Sequence, residues 1–144
     1  MIIKIDHINI SVTSLEEATK FFVELLDFKV EKEGHLEGKW IDKVVGLKDV
    51  NAKYVQLVIP GAETCMELIQ YYNPVGEKDP KTGKSNQIGF RHIAFEVNEI
   101  EKVYTKLQKA GVKILSELQI YNETKKLCYF MGPDDVILEL AEYS

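Results

Sequence analysis

The feature that most limits what this chain can become is an internal repeat. Asp6-His7-Ile8-Asn9-Ile10-Ser11-Val12 resembles Arg91-His92-Ile93-Ala94-Phe95-Glu96-Val97 at an offset of 85, with His7 falling on His92. Met66-Glu67-Leu68-Ile69-Gln70-Tyr71 resembles Leu138-Glu139-Leu140-Ala141-Glu142-Tyr143 at an offset of 72, with Glu67 on Glu139. The order of events is the same in both halves, so the chain reads as two copies of one supersecondary unit. Its 144 residues leave about 70 per copy, too few to bury an adequate core alone. Residues 1–72 are therefore expected to form a first module and 89–144 a second, with the Pro- and Gly-containing stretch 73–88 as linker, in one compact domain overall.

Between the paired segments the apolar spacing is helical in both halves. Leu15, Ala18, Phe22, Leu25 and Leu26 mark one stripe, and Ile100, Val103, Tyr104, Leu107 and Ala110 mark another. Thr13 with Glu16, or Ser14 with Glu17, can start the first helix, and the repeat register favours Thr13. Asn98 with Glu101 is the matching start of the second. Gly111 suits a left-handed C-terminal cap, after which Val112-Lys113-Ile114 matches Phe28-Lys29-Val30 as the next strand. Two extended runs close each half, Tyr54 to Ile59 with Cys65 to Tyr71, and Leu127 to Met131 with Val136 to Tyr143. Each half thus reads βαβββ, and the fold class is α+β. The His-to-Glu separation is 60 in the first half and 47 in the second, which places 13 extra residues in Glu33 to Asn51, a stretch long enough for a lid.

Charge and composition exclude several function classes. A net charge of -5, with Lys125-Lys126 as the only basic pair, gives no electrostatic footprint for nucleic acid or an anionic membrane. No apolar run is long enough to span a bilayer and the N-terminus lacks a signal-peptide pattern, so a cytoplasmic location is expected. Cys65 and Cys128 make neither a disulfide framework nor a zinc motif and read as reduced thiols. Nucleotide-binding and serine-hydrolase signatures are absent.

Strand alternation then assembles the chemistry. Ile8, Ile10 and Val12 point one way, towards the helix, and His7, Asn9 and Ser11 point the other. His92 in the matching strand and Glu67 and Glu139 in the closing strands fall on the corresponding polar faces. If the repeats pair about an approximate two-fold axis, two imidazoles and two carboxylates converge. That donor set suits one divalent metal, Zn, Ni, Co, Mn or Fe, with open positions for water or substrate. Asn9, Ser11, Gln56, Tyr71, Tyr143 and Cys128 are further candidates to line such a site.

DHINISV near the start, GFRHIAFEV in the second half and GPDDVILELAEY near the end resemble the characteristic segments of the vicinal oxygen chelate superfamily, over nearly all of the chain. That superfamily includes glyoxalase I, methylmalonyl-CoA epimerase, extradiol dioxygenases and the fosfomycin and bleomycin resistance proteins. The resemblance implies a cup-shaped mixed sheet with helices outside, metal ligands at His7, Glu67, His92 and Glu139, and a homodimer acting on a small molecule. The ligand pattern is most similar to bacterial glyoxalase I, because methylmalonyl-CoA epimerase typically carries Gln at the position of Glu67. The implied reaction is removal of a proton next to a metal-chelated carbonyl, with Glu67 or Glu139 as base. An epimerase of an acyl thioester, or a binding protein of the bleomycin-resistance type that performs no reaction, are the alternatives; a ring-cleaving dioxygenase fits four protein ligands less well.

Some residues stand apart from that pattern. Arg91, the only arginine, should point away from the His92 face and serve as a structural or interface ion-pair partner, which leaves no arginine for the carboxylates of glutathione. His35 has no counterpart in the second half and reads as a loop histidine, and Trp40 in the same stretch either covers a ligand or pins the loop.

Overall fold

Alternating apolar residues in the paired strands and one apolar stripe per helix build two units of the same plan. The computed structural model describes residues Met1–Ser144, divided into Met1–Glu77 and Lys78–Ser144. In the first unit β1 (His7–Ser11), β2 (Lys29–Glu37), β3 (Asn51–Val58) and β4 (Cys65–Asn73) form a sheet in the order β1-β4-β3-β2, with helices α1 (Leu15–Leu26) and α2 (Lys39–Val45). In the second, β5 (His92–Glu96), β6 (Gln119–Tyr121), β7 (Lys125–Met131) and β8 (Ile137–Tyr143) form a sheet in the order β5-β8-β7-β6, with helix α3 (Ile100–Lys109). The first strand of each unit runs parallel to the last, and the other pairings are antiparallel. The fold is α+β with two modules, as the repeat predicts.

Each core lies between a sheet and its helix. Ile10, Val12, Leu57 and Leu68 are buried in the first unit together with Ala18 and Phe22 of α1. The Phe22 ring meets Phe21 and Phe28 edge to face, each at 5.5 Å between centroids. In the second unit Ile93, Cys128, Phe130, Leu138 and Leu140 are buried with Ile100 and Leu107 of α3.

Of the two starts offered for α1 the structure takes Ser14 with Glu17, against the repeat register, and the start expected at Asn98 is not taken. Ser14, not Thr13, is the N-cap of α1, its hydroxyl accepting the Glu17 amide at 3.2 Å. At α3 the N-cap is Glu99 in the left-handed region (φ 58°) with no side-chain cap, so Asn98 does not fill that role. Both helices are instead completed from the last strand of their sheet. Gln70 Oε1 accepts the Leu15 amide at 2.9 Å, and Glu142 Oε1 accepts the Ile100 amide at 3.3 Å. Gly111, at φ 76°, follows the last turn of α3 as predicted, and the Val112 amide returns to the Leu107 carbonyl.

The edge strands also diverge. β2 runs from Lys29 to Glu37 and so continues into the stretch expected as insertion, whereas Val112-Lys113-Ile114 forms no strand and touches the sheet through a single bridge from Ile114 to Phe130. The second unit takes its edge strand from Gln119–Tyr121, too short and exposed to stand out from sequence. In the first unit the remaining insertion is α2, whose Ile41 is buried with Val50, Ala52 and Ile69 and packed by Leu36, Val45, Tyr54 and Tyr71. By alternation Ala52, Tyr54, Ile69 and Tyr71 share the sheet face of Glu67, so α2 covers one end of that face.

Candidate functional site

Two polar clusters, one per unit, occupy the same register positions. In the first unit Glu67 lies in register with Asn9 on one side and Gln56 on the other, and His7 pairs with Cys65 two residues back. In the second Glu139 lies in register with Ala94 and Tyr129, and His92 pairs with Ile137. Parallel pairing of first and last strands thus sets each carboxylate diagonally beside its histidine, on the face turned away from the helix.

The second cluster is the more tightly built. Glu139, 3% exposed, is the one buried charged residue of the chain. Its Oε2 stands 3.1 Å from His92 Nε2 and its Oε1 2.8 Å from the Lys125 ammonium. The Lys125 ammonium at Oε1 offsets the desolvation of this buried carboxylate. The same carboxylate raises the pKa of Lys125, chiefly through its hydrogen bond. The Tyr129 ring lies tilted against the His92 ring, 4.8 Å between centroids, with its hydroxyl 3.5 Å from Nε2.

The first cluster is more open and is held by neutral or surface groups. Asn9 Nδ2 donates to Glu67 Oε1 at 2.8 Å. His7 Nδ1 lies 2.9 Å from Asp6 Oδ2, which directs Nε2 outward, and that contact holds the Asp6 carboxyl below its ordinary pKa. In neither unit do three or more His, Cys, Asp and Glu side chains come close enough to hold a metal ion; each unit sets one histidine and one glutamate diagonally side by side on paired strands.

The other sequence-selected residues divide clearly. Asn9, Ser11, Gln56 and Tyr71 share the face of Glu67 by register, although Tyr71 packs against the α2 cluster. Tyr143 shares the face of Glu139. Cys128 does not: it lies opposite Leu140, buried on the helix side, where desolvation pushes its thiol up to about 11. Arg91 makes no ion pair; its Nη1 donates to the carbonyls of Lys81, Thr82 and Lys84 at 3.2 to 3.5 Å and ties down that loop. His35 Nε2 contacts Asn51 Oδ1 at 2.6 Å on β2 and β3, and Trp40 is exposed on α2. Sequence reasoning missed Lys125 and Tyr129. Tyr129 holds the repeat position of Gln56, so carrying the repeat through β7 would have found it.

Residues 4–140 match the family model described as the Glyoxalase/Bleomycin resistance protein/Dioxygenase superfamily. The chain belongs to this superfamily. As a glyoxalase-superfamily member it is 27% identical over 147 residues to the mitochondrial methylmalonyl-CoA epimerase of Mus musculus, covering 96% of this chain and 72% of that protein. A shorter match, 31% over 86 residues, covers 58% of the chain and 26% of glyoxalase I from Saccharomyces cerevisiae. The crystal structure of a glyoxalase family protein from Bacillus cereus superposes with a TM-score of 0.90 at 26% identity, covering 99% of this chain and 95% of that one. The superfamily includes enzymes and non-enzymes; its members bind small molecules, commonly use a divalent metal and often form dimers. No helix of this member is long and apolar enough to cross a membrane.

Proposed function

We propose that this protein is a metal-dependent lyase or isomerase resembling glyoxalase I, which moves a proton at a carbon next to a carbonyl in a small, thiol-conjugated substrate. The observation that carries this reading is the duplicated half-site: in both units a carboxylate on the last strand stands diagonally beside a histidine on the first. The donor chemistry fits a divalent ion. His92 Nε2 and Glu139 Oε2 lie 3.1 Å apart, and the Nδ1 of His7 is engaged by Asp6, which leaves its Nε2 free to bind. His7, Glu67, His92 and Glu139 would hold the ion, Zn, Ni, Co, Mn or Fe, and its contribution is to polarise the substrate carbonyl and acidify the neighbouring C–H.

The rest falls to side chains of the chain itself. Glu67 or Glu139 takes the acidified proton and returns it to the substrate. Asn9, donating to Glu67, holds that carboxylate in place, and Gln56 and Tyr129 stand beside the two carboxylates as neutral groups for orienting substrate. The same reading makes the protein a homodimer, like many superfamily members, and its two free cysteines suit the reducing cytoplasm.

Metal content of the purified full chain, beside His7→Ala and Glu139→Ala, is the first test. Bound metal that is lost in both variants supports the ligand set. Deuterium incorporation from D2O into the carbon next to the carbonyl then separates the activities. Exchange in a glutathione hemithioacetal supports the glyoxalase reading. Exchange in methylmalonyl-CoA supports a second reading as an acyl-thioester epimerase, which the long match to the mouse enzyme favours. No metal after reconstitution leaves a small-molecule-binding protein of the bleomycin-resistance type.

A further inference from the structure

The two half-sites differ in what stands behind the carboxylate. In the first unit Glu67 receives a neutral amide from Asn9, and the position that corresponds to Lys125 is Ala52, since Ala52 lies across from Tyr71 as Lys125 lies across from Tyr143. In the second unit a cation takes that place. The Lys125 ammonium sits 2.8 Å from Glu139 Oε1 and 5.5 Å from the centre of the Tyr143 ring, with its side chain 22% exposed. Glu139 is therefore shared between two partners, one oxygen each: Oε1 faces Lys125 and Oε2 faces His92.

We infer that Lys125 is a positioning residue, which by holding Oε1 of Glu139 turns Oε2 towards His92 and keeps that half-site assembled. A carboxylate rotates readily about its last torsion, and without an anchored oxygen a buried Glu139 has no reason to keep Oε2 at His92. Tyr129, packed on the imidazole, limits the histidine in the same way. No comparable cation fixes Glu67. Glu139 is the more rigidly held of the two carboxylates, and Lys125 is the residue that makes it so.

The part of this inference that concerns metal rests on the proposed function; the part that concerns side-chain geometry does not. Lys125→Met and Lys125→Arg in the full chain test both. In metal-free, 15N-labelled protein, the Nε2 resonance of His92 should move in Lys125→Met and return towards the wild-type position in Lys125→Arg, which restores a donor of the same charge. Zinc affinity, by competition with a chromophoric chelator, should fall about 10- to 100-fold in Lys125→Met and only a few-fold in Lys125→Arg. Thermal denaturation of both variants shows that they fold. An unmoved His92 resonance overturns the inference, and so does a rise in zinc affinity in Lys125→Met, the result expected if the ammonium only repels the metal. If the wild-type protein takes up no zinc, the proposed function fails while the imidazole resonance still decides the role of Lys125.

Discussion

Gln70 accepts the backbone amide of Leu15 at 2.9 Å, tying the last strand of the first sheet to the start of its helix. Glu142 does the same for Ile100 in the second unit. The first turn of a helix leaves amides without intrahelical partners, and here one of them is met by a residue three positions beyond the half-site carboxylate.

Gln70→Ala and Glu142→Ala are each expected to cost about 1 kcal/mol, the usual loss for a helix N-terminal side-chain acceptor. Urea denaturation with an unchanged m-value would measure it.

Phe22→Ala should be among the most destabilising changes in the first unit. The ring is fully buried between Phe21 and Phe28, so its removal leaves a cavity as well as losing transfer energy, about 3–5 kcal/mol in all. The same denaturation experiment reads it.

A methyl group at Gly34 would overlap the ring of Tyr54, its partner across β2 and β3. Gly34→Ala is expected to cost roughly 1–3 kcal/mol, because Tyr54 must leave its packing against the α2 cluster. In a Tyr54→Ala background the same change should cost almost nothing, and a double-mutant cycle would give that coupling directly.

Cys128 predicts a pH dependence with a definite sign. Its thiol pKa is 9.0 ordinarily and about 11 in the fold, so the unfolded chain loses this proton first as pH rises. Stability should therefore fall between pH 9 and pH 11, on the order of 2 kcal/mol for this group. Lys125, with its pKa raised, loses its own contribution as pH climbs through that raised value, which adds to the fall. Cys128→Ala should make the slope shallower whatever it does to the absolute stability. At pH 8 a thiol reagent should modify the half-buried Cys65 and spare Cys128 until the protein unfolds.

The first and last strands of each unit, and the faces on which their His and Glu residues fall, were legible because a repeat supplies two readings of the same pattern. His7 and His92 stand in strands that alternate, and alternation fixes the face. The Ser14–Glu17 cap and Gly111 were legible, but the long-range acceptors were not: Gln70 is 55 residues from the amide it meets. The edge strand at Gln119–Tyr121 was hidden for another reason. It is three exposed residues long, so no burial pattern marks it. Cys128 was misassigned to the site because the strand around it is apolar on both faces, with Leu127 and Tyr129 on the side of Glu139.

The small residue at Ala52 and the helix that lies over it are a single structural choice. Ile41 fills the room above Ala52, the room that in the other copy belongs to the long stem of Lys125. A lysine introduced at 52 would have to displace the helix, and the helix grafted onto the second copy would have to displace Lys125. The two halves, alike in strand order, are no longer interchangeable parts.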